Sequence, residues 1–126
     1  MIDQPEEPRP ERPEAADTVA RIQPDRAVVT YVQIWELGSR EAQNRWLKVM
    51  HDSVQILQAK TGFVSRTLHS SLDATRIAVY AQWTARETLQ AAISAPEAVA
   101  AHDRMAEIGS SDGSLYTVER VYGPVS

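Results

Sequence analysis

The stretch from Gly62 to Glu87 limits the folds open to this chain more than any other. Phe63 to Leu72 and Arg76 to Trp83 are two runs of strand-forming residues. Asp73-Ala74-Thr75 separates them as a short polar turn, so the pair predicts a β-hairpin. Thr84-x-x-Glu87 follows at once, with the spacing of a capping box, and predicts a helix that starts directly after the second strand. The hairpin carries one histidine, His69, and one tryptophan, Trp83.

The flanks extend this pattern. Ala27 to Leu37 reads as a first strand. Val28, Thr30, Val32 and Ile34 alternate with Val29, Tyr31, Gln33 and Trp35, and both sets are largely apolar. A strand with two buried faces reads this way. One face suits helices and the other a second subunit, and parity alone leaves open which is which. Gly38-Ser39 punctuates, with Ser39 as an N-cap. A helix from about Arg40 to Lys60 follows, with Trp46, Leu47, Met50, Val54 and Leu57 on one stripe and Gly62 as its C-cap residue. Two polar residues, Gln43 and Ser53, fall inside that apolar arc, whereas His51 falls on the solvated face. Ser94-Ala95-Pro96-Glu97 restarts the second helical region, which runs to about Ile108 and places Val99, His102 and Ala106 on one face. Gly109 to Gly113 reads as a loop, and Leu115 to Tyr122 as the last strand, ended by Gly123-Pro124.

The order β-α-β-β-α-β predicts an α+β, ferredoxin-like domain: a four-stranded antiparallel sheet with its helices on one face. The other face would expose too large an apolar patch for a monomer, so a homodimer of face-to-face sheets, a dimeric α+β barrel, is expected. The domain covers residues 26–123. Residues 1–25 hold Pro5, Pro8, Pro10 and Pro13 among Glu and Arg, with little to bury, and are expected to be a flexible arm.

Composition removes several function classes. The 126 residues suit one domain, and no internal repeat divides them. There is no cysteine, which excludes disulfides, thiolate nucleophiles and Cys-ligated zinc or iron–sulfur sites. A formal net charge of −4 with 13 scattered basic residues argues against a nucleic-acid partner. No apolar run reaches the roughly 20 residues of a membrane helix, and the Pro-rich start is unlike a secretory signal. A cytoplasmic protein with no membrane partner is expected. His51, His69 and His102 lie on separate elements without ligand spacing, so no metal site is expected.

Three motifs carry a resemblance. Thr61-Gly62-Phe63-Val64-Ser65, His69-Ser70-Ser71-x-Asp73 and Tyr80-Ala81-Gln82-Trp83 resemble the antibiotic biosynthesis monooxygenase family, most of all its small polyketide anthrone and quinone-forming monooxygenases. The likeness runs from about Arg26 to Tyr122. It implies a dimeric α+β barrel with a pocket between the sheet and the helices of each subunit. It also implies oxygenation of an electron-rich aromatic with O₂ as co-substrate and no cofactor, neither metal nor flavin. In that chemistry the substrate is the reductant: a phenolic anthrone loses a proton, and the delocalised carbanion passes an electron to O₂. The protein supplies a dry pocket, a proton acceptor and donors for the developing oxyanion. Trp83 matches that branch's pocket tryptophan, and His69 matches one of its histidines. The branch carries Asn where this chain has Val79, Tyr where it has Leu89 and Arg where it has His102. Tyr31 stands where several relatives carry a pocket Asn.

Each candidate also has a structural alternative. Trp83 is either a substrate-orienting donor or a core aromatic. His69 shares strand parity with Phe63, so if Phe63 points to the helices His69 does too, as a general base or as a pocket-mouth histidine. His102 is a second candidate base, or a core histidine among alanines. Tyr31, Gln33 and Trp35 line the pocket if their face meets the helices. Gln43 is either a pocket residue or a structural hydrogen bonder. Val79 and Leu89 would contact substrate. The leading expectation is a cofactor-independent monooxygenase acting on a polycyclic aromatic. The alternatives are a polyketide cyclase or isomerase of the same fold, or a non-catalytic small-molecule-binding dimer. Haem degradation ranks below these.

Overall fold

The structure, a computed structural model, describes residues 21–22 and 28–125. Four strands and three helices follow the expected order: β1 (Val29–Glu36), α1 (Arg40–Gln58), β2 (Phe63–Ser70), β3 (Arg76–Trp83), α2 (Arg86–Ile93), α3 (Pro96–Ala106) and β4 (Ser110–Tyr116). The sheet is antiparallel, in the order β2-β3-β1-β4. This is the ferredoxin-like arrangement, with the helices packed on one face. The proposed arm falls outside the described residues except for Arg21 and Ile22.

Register decides which face of each strand meets the helices. Tyr31, Gln33 and Trp35 of β1 stand opposite Ala81, Val79 and Ile77 of β3. Trp35, Ile77, Val79, Ala81 and Trp83 all belong to the core against the helices. So Tyr31 and Gln33 share that side, which settles the alternation in β1. On the open face Gln82 is nonetheless fully buried. It accepts from the Ser65 hydroxyl at 2.7 Å and donates to the Arg21 carbonyl.

The core is aromatic at one end. Trp35 and Trp46 meet with ring centroids 5.5 Å apart and tilted by 56°. Ser39 caps α1 as expected, accepting from the Ala42 amide at 3.1 Å. Gln43 donates to Ser70 Oγ at 2.9 Å and to the Arg76 carbonyl at 3.1 Å, which ties α1 to the hairpin. The turn beside it is built by Asp73, whose carboxylate accepts from the hydroxyls of Thr75 and Ser71, each at 2.7 Å, and from the Thr75 amide at 3.1 Å. Those donors, the Thr75 hydroxyl first, hold the Asp73 carboxyl down at about 2.

Several local expectations are corrected. β2 carries a bulge between Phe63 and Ser65, so that Phe63 faces Trp83 while Ser65 pairs with Gln82. A bulge adds one residue to one strand and reverses side-chain parity beyond it. His69 therefore stands beside Ala78 on the open face, exposed, and does not share the side of Phe63. The Thr84–Glu87 capping box does not form: α2 is capped by Ala85 without a side-chain bond, because the Thr84 amide is committed to the Gly62 carbonyl at 2.8 Å. Gly62 does not cap α1, which ends at Gln58 with Ala59 as C-cap; it turns the chain into β2 with φ +87°. The last strand comes earlier than expected. Residues 110–116 of the Ser/Gly-rich segment pair with β1, and Gly113 serves a packing need: a Cβ there would collide with the Tyr31 phenol.

Candidate active site

A cavity of about 230 Å³ opens between the sheet and the helices. Its floor is Tyr31 and Gln33 of β1 with Arg66 of β2. Its walls are the second half of α1, including Met50, Ser53, Val54 and Leu57, and the face of α3 that carries Ala98, Ala101, His102 and Met105. Ile93 at the end of α2 and Val99 of α3 complete the lining. The two alanines are why room exists, since small side chains on α3 leave the gap to α1 unfilled. The lining is mainly apolar, with five polar side chains converging on it, as small-molecule sites usually are. The volume is somewhat below the roughly 300–1,000 Å³ common for such sites, so it favours a small ligand.

The polar groups differ in state. Burial raises the Tyr31 phenol above its ordinary range. The nearby Arg66 charge pulls it back, and Asp112 adds to the rise. Tyr31 is therefore protonated at neutral pH and able to donate. Burial lowers the Arg66 guanidinium to about 10, with Tyr31 acting in the opposite direction, so Arg66 keeps its charge. Its Nε is shielded from solvent and has no hydrogen-bond partner among the described residues. Gln33 donates to Ser111 Oγ at 3.4 Å, a weak bond that fixes its end of the floor. Ser53 turns its hydroxyl back onto the Val49 carbonyl at 2.5 Å. His102 is exposed at the mouth and packs on Trp35, with ring centroids 5.4 Å apart.

The expected site residues divide accordingly. Tyr31, Gln33 and His102 come together around the cavity. Trp35 supports His102 from the core. Gln43 is spent on the hairpin. Val79 is 0% and Leu89 2% exposed, both core residues outside the lining. Trp83 is also outside it, packed edge-on against Phe63 at 5.4 Å, and its indole N–H has no described partner. His69 is on the wrong side of the sheet. Sequence reading missed Arg66, because without the bulge its parity points away from the helices. Ser53 carried a signal, being a polar break in the α1 stripe.

No protein-family model and no curated protein matches the sequence. Solved structures do match. The chain is similar to SnoaB of Streptomyces nogalater, described as a cofactor-independent oxygenase, with 20% identity, TM-score 0.68 and coverage of 75% of this chain and 96% of that one. It is similar to the ActVA-Orf6 monooxygenase of Streptomyces coelicolor, solved with the ligand nanaomycin D, with 20% identity, TM-score 0.71 and coverage of 80% and 96%. A Nitrosomonas europaea protein with the provisional description antibiotic biosynthesis monooxygenase matches at 13% identity, TM-score 0.66 and coverage of 78% and 94%. At these identities the likeness establishes the fold. No described helix is long and apolar enough to cross a membrane.

Proposed function

We propose that this chain is a cofactor-independent monooxygenase that oxidises a small polycyclic aromatic of the anthrone or quinol type with O₂. The observation that carries the reading is the apolar cavity with His102 at its mouth and Tyr31 and Arg66 on its floor, in the fold of the oxygenases named above. His102 takes the proton from the activated carbon. An imidazole is the side chain best suited to accept a proton at neutral pH, and one at a solvent-facing mouth can pass it on. Tyr31 and Arg66 donate to the oxygen on which the carbanion charge gathers. The carbanion gives an electron to O₂, the radical pair joins as a peroxide, and loss of water leaves the new carbonyl. One CH₂ and one O₂ thereby become one C=O and one H₂O.

The donors in this scheme differ from those the resemblance implied, since apolar Val79 and Leu89 are sealed in the core. The protein acts in the cytoplasm as a homodimer in this reading, its sheets stacked by their open faces. The exposed Ile34 and the half-buried Val32, Ala78 and Tyr80 support that. Light scattering on the purified chain measures its mass; a monomer at micromolar concentration removes the dimer.

The test of the reaction uses purified chain treated with chelator, an anthrone, and simultaneous readings of O₂ uptake and quinone absorbance. Quinone formation above the buffer rate is expected. His102→Ala should lower kcat by about 10²–10⁴-fold, as for loss of a general base. An unchanged rate in that variant removes His102 from the chemistry. Turnover that persists without O₂ would favour a cyclase or isomerase, and binding without turnover a carrier.

A further inference from the structure

We propose that Arg66 is the counter-ion for an ionised oxygen on the ligand, so that the cavity selects aromatic acids over neutral aromatics of the same shape. This deepens the proposed function and rests on its assignment of the cavity.

Three observations lead here. First, the strand register sets Arg66, Ala81 and Tyr31 in one row across β2, β3 and β1. Only the methyl of Ala81 stands between the two large side chains, and both line the cavity. Second, Arg66 has no carboxylate partner among the described residues. The ion pairs there are Lys48 with Asp52, Lys60 with Glu97 and Arg76 with Glu36. Third, its Nε is shielded from solvent and makes no hydrogen bond to a described residue. Arg66 is half-buried, so its charge has lost part of its hydration, and a partner would offset that loss. The lining contains no Asp or Glu to supply one. A ligand carboxylate or ionised phenol at the cavity floor would do so, with geometry suited to the planar guanidinium fork. Tyr31, protonated beside it, offers a second donor to the same oxygen.

The bulge in β2 makes this possible. Without it, Arg66 would lie on the open face of the sheet and His69 would face the helices.

The experiment is ligand binding by calorimetry at pH 7.5 with the full chain and three probes: anthraquinone-2-carboxylate, the neutral anthraquinone-2-carboxamide, and 2-hydroxyanthraquinone titrated below and above its phenol pKa. The wild type should bind the carboxylate about ten- to a hundredfold more tightly than the amide, the range for one charge-assisted contact. Arg66→Met should erase that preference by weakening the acid far more than the amide, and a cooperative thermal melt shows that the variant folds. Arg66→Lys should keep part of it, since a point charge lacks the planar fork. Tighter binding of the hydroxy probe on ionisation, lost in Arg66→Met, assigns the ionised phenol as the source. The same affinity for its two forms, with the acid still preferred, assigns a carboxylate. Equal wild-type affinity for acid and amide overturns the proposal. So does a loss in Arg66→Met that is the same for both, or no binding of any probe. Turnover is not part of this assay: selective acid binding with no anthrone oxidation keeps Arg66 and loses the oxygenase, and quinone formation with equal affinities does the reverse.

Discussion

The two halves of the helix–sheet interface are built from the same kinds of element and end in opposite states. Near the hairpin turn, Trp35 and Trp46 fill the gap between β1 and α1, both at most 1% exposed, and Gln43 bolts α1 to the strand ends. Further along α1, the facing positions on α3 are Ala98 and Ala101, and the gap stays open as the cavity. Side-chain volume on the covering helix decides whether the interface is a core or a site. The closed half supplies the stability that lets the open half hold a half-buried charge.

The greatest loss of stability is expected at the closed end. Trp46→Ala should destabilise the fold by about 3–5 kcal/mol, the usual cost of emptying a buried tryptophan site, measured by urea unfolding. A cost under about 1 kcal/mol would mean that the tryptophan layer is not the anchor. The next test makes one change in both halves. Ala42→Leu, placed in the packed core, should cost about 1–3 kcal/mol through overpacking. Ala101→Leu, facing the cavity, should be neutral or stabilising by up to about 1 kcal/mol while abolishing binding of the probes above. Equal costs at the two sites would show that the cavity is not real free volume in solution. The smallest effect concerns pH. The Asp73 carboxyl lies at about 2 in the folded chain, below its ordinary 3.8. The folded state therefore favours the ionised form, and the stability this adds is complete above about pH 4 and lost as pH falls toward 2. Asp73→Asn should lower the thermal midpoint slightly at pH 7 and flatten its fall between pH 4 and 2. An identical acid profile would remove Asp73 from the turn's stability.

How legible was this in the chain? Element order was legible, because strand and helix periods, the Ser39 cap and the Pro96 restart are local signals. Tyr31, Gln33 and His102 were legible as candidates because polar residues among apolar ones stand out. The start of β4 was not, because Ser110 to Gly113 lacks strand-forming residues; it pairs because β1 offers an edge and Gly113 leaves room for Tyr31. Trp83 looked like a site residue and is a core one, since which residues border a cavity depends on what the opposite helix leaves unfilled.

By itself the sequence determined the α+β order, the hairpin from Phe63 to Trp83 and the single long amphipathic helix, all of which follow from backbone propensity and hydrophobic period. Only the tertiary structure decided the site. One extra residue in β2 reverses parity, takes His69 out to the open face and brings Arg66 in over Ala81. A bulge leaves no periodic trace in composition, because it is fixed by the register that β3 imposes across the sheet.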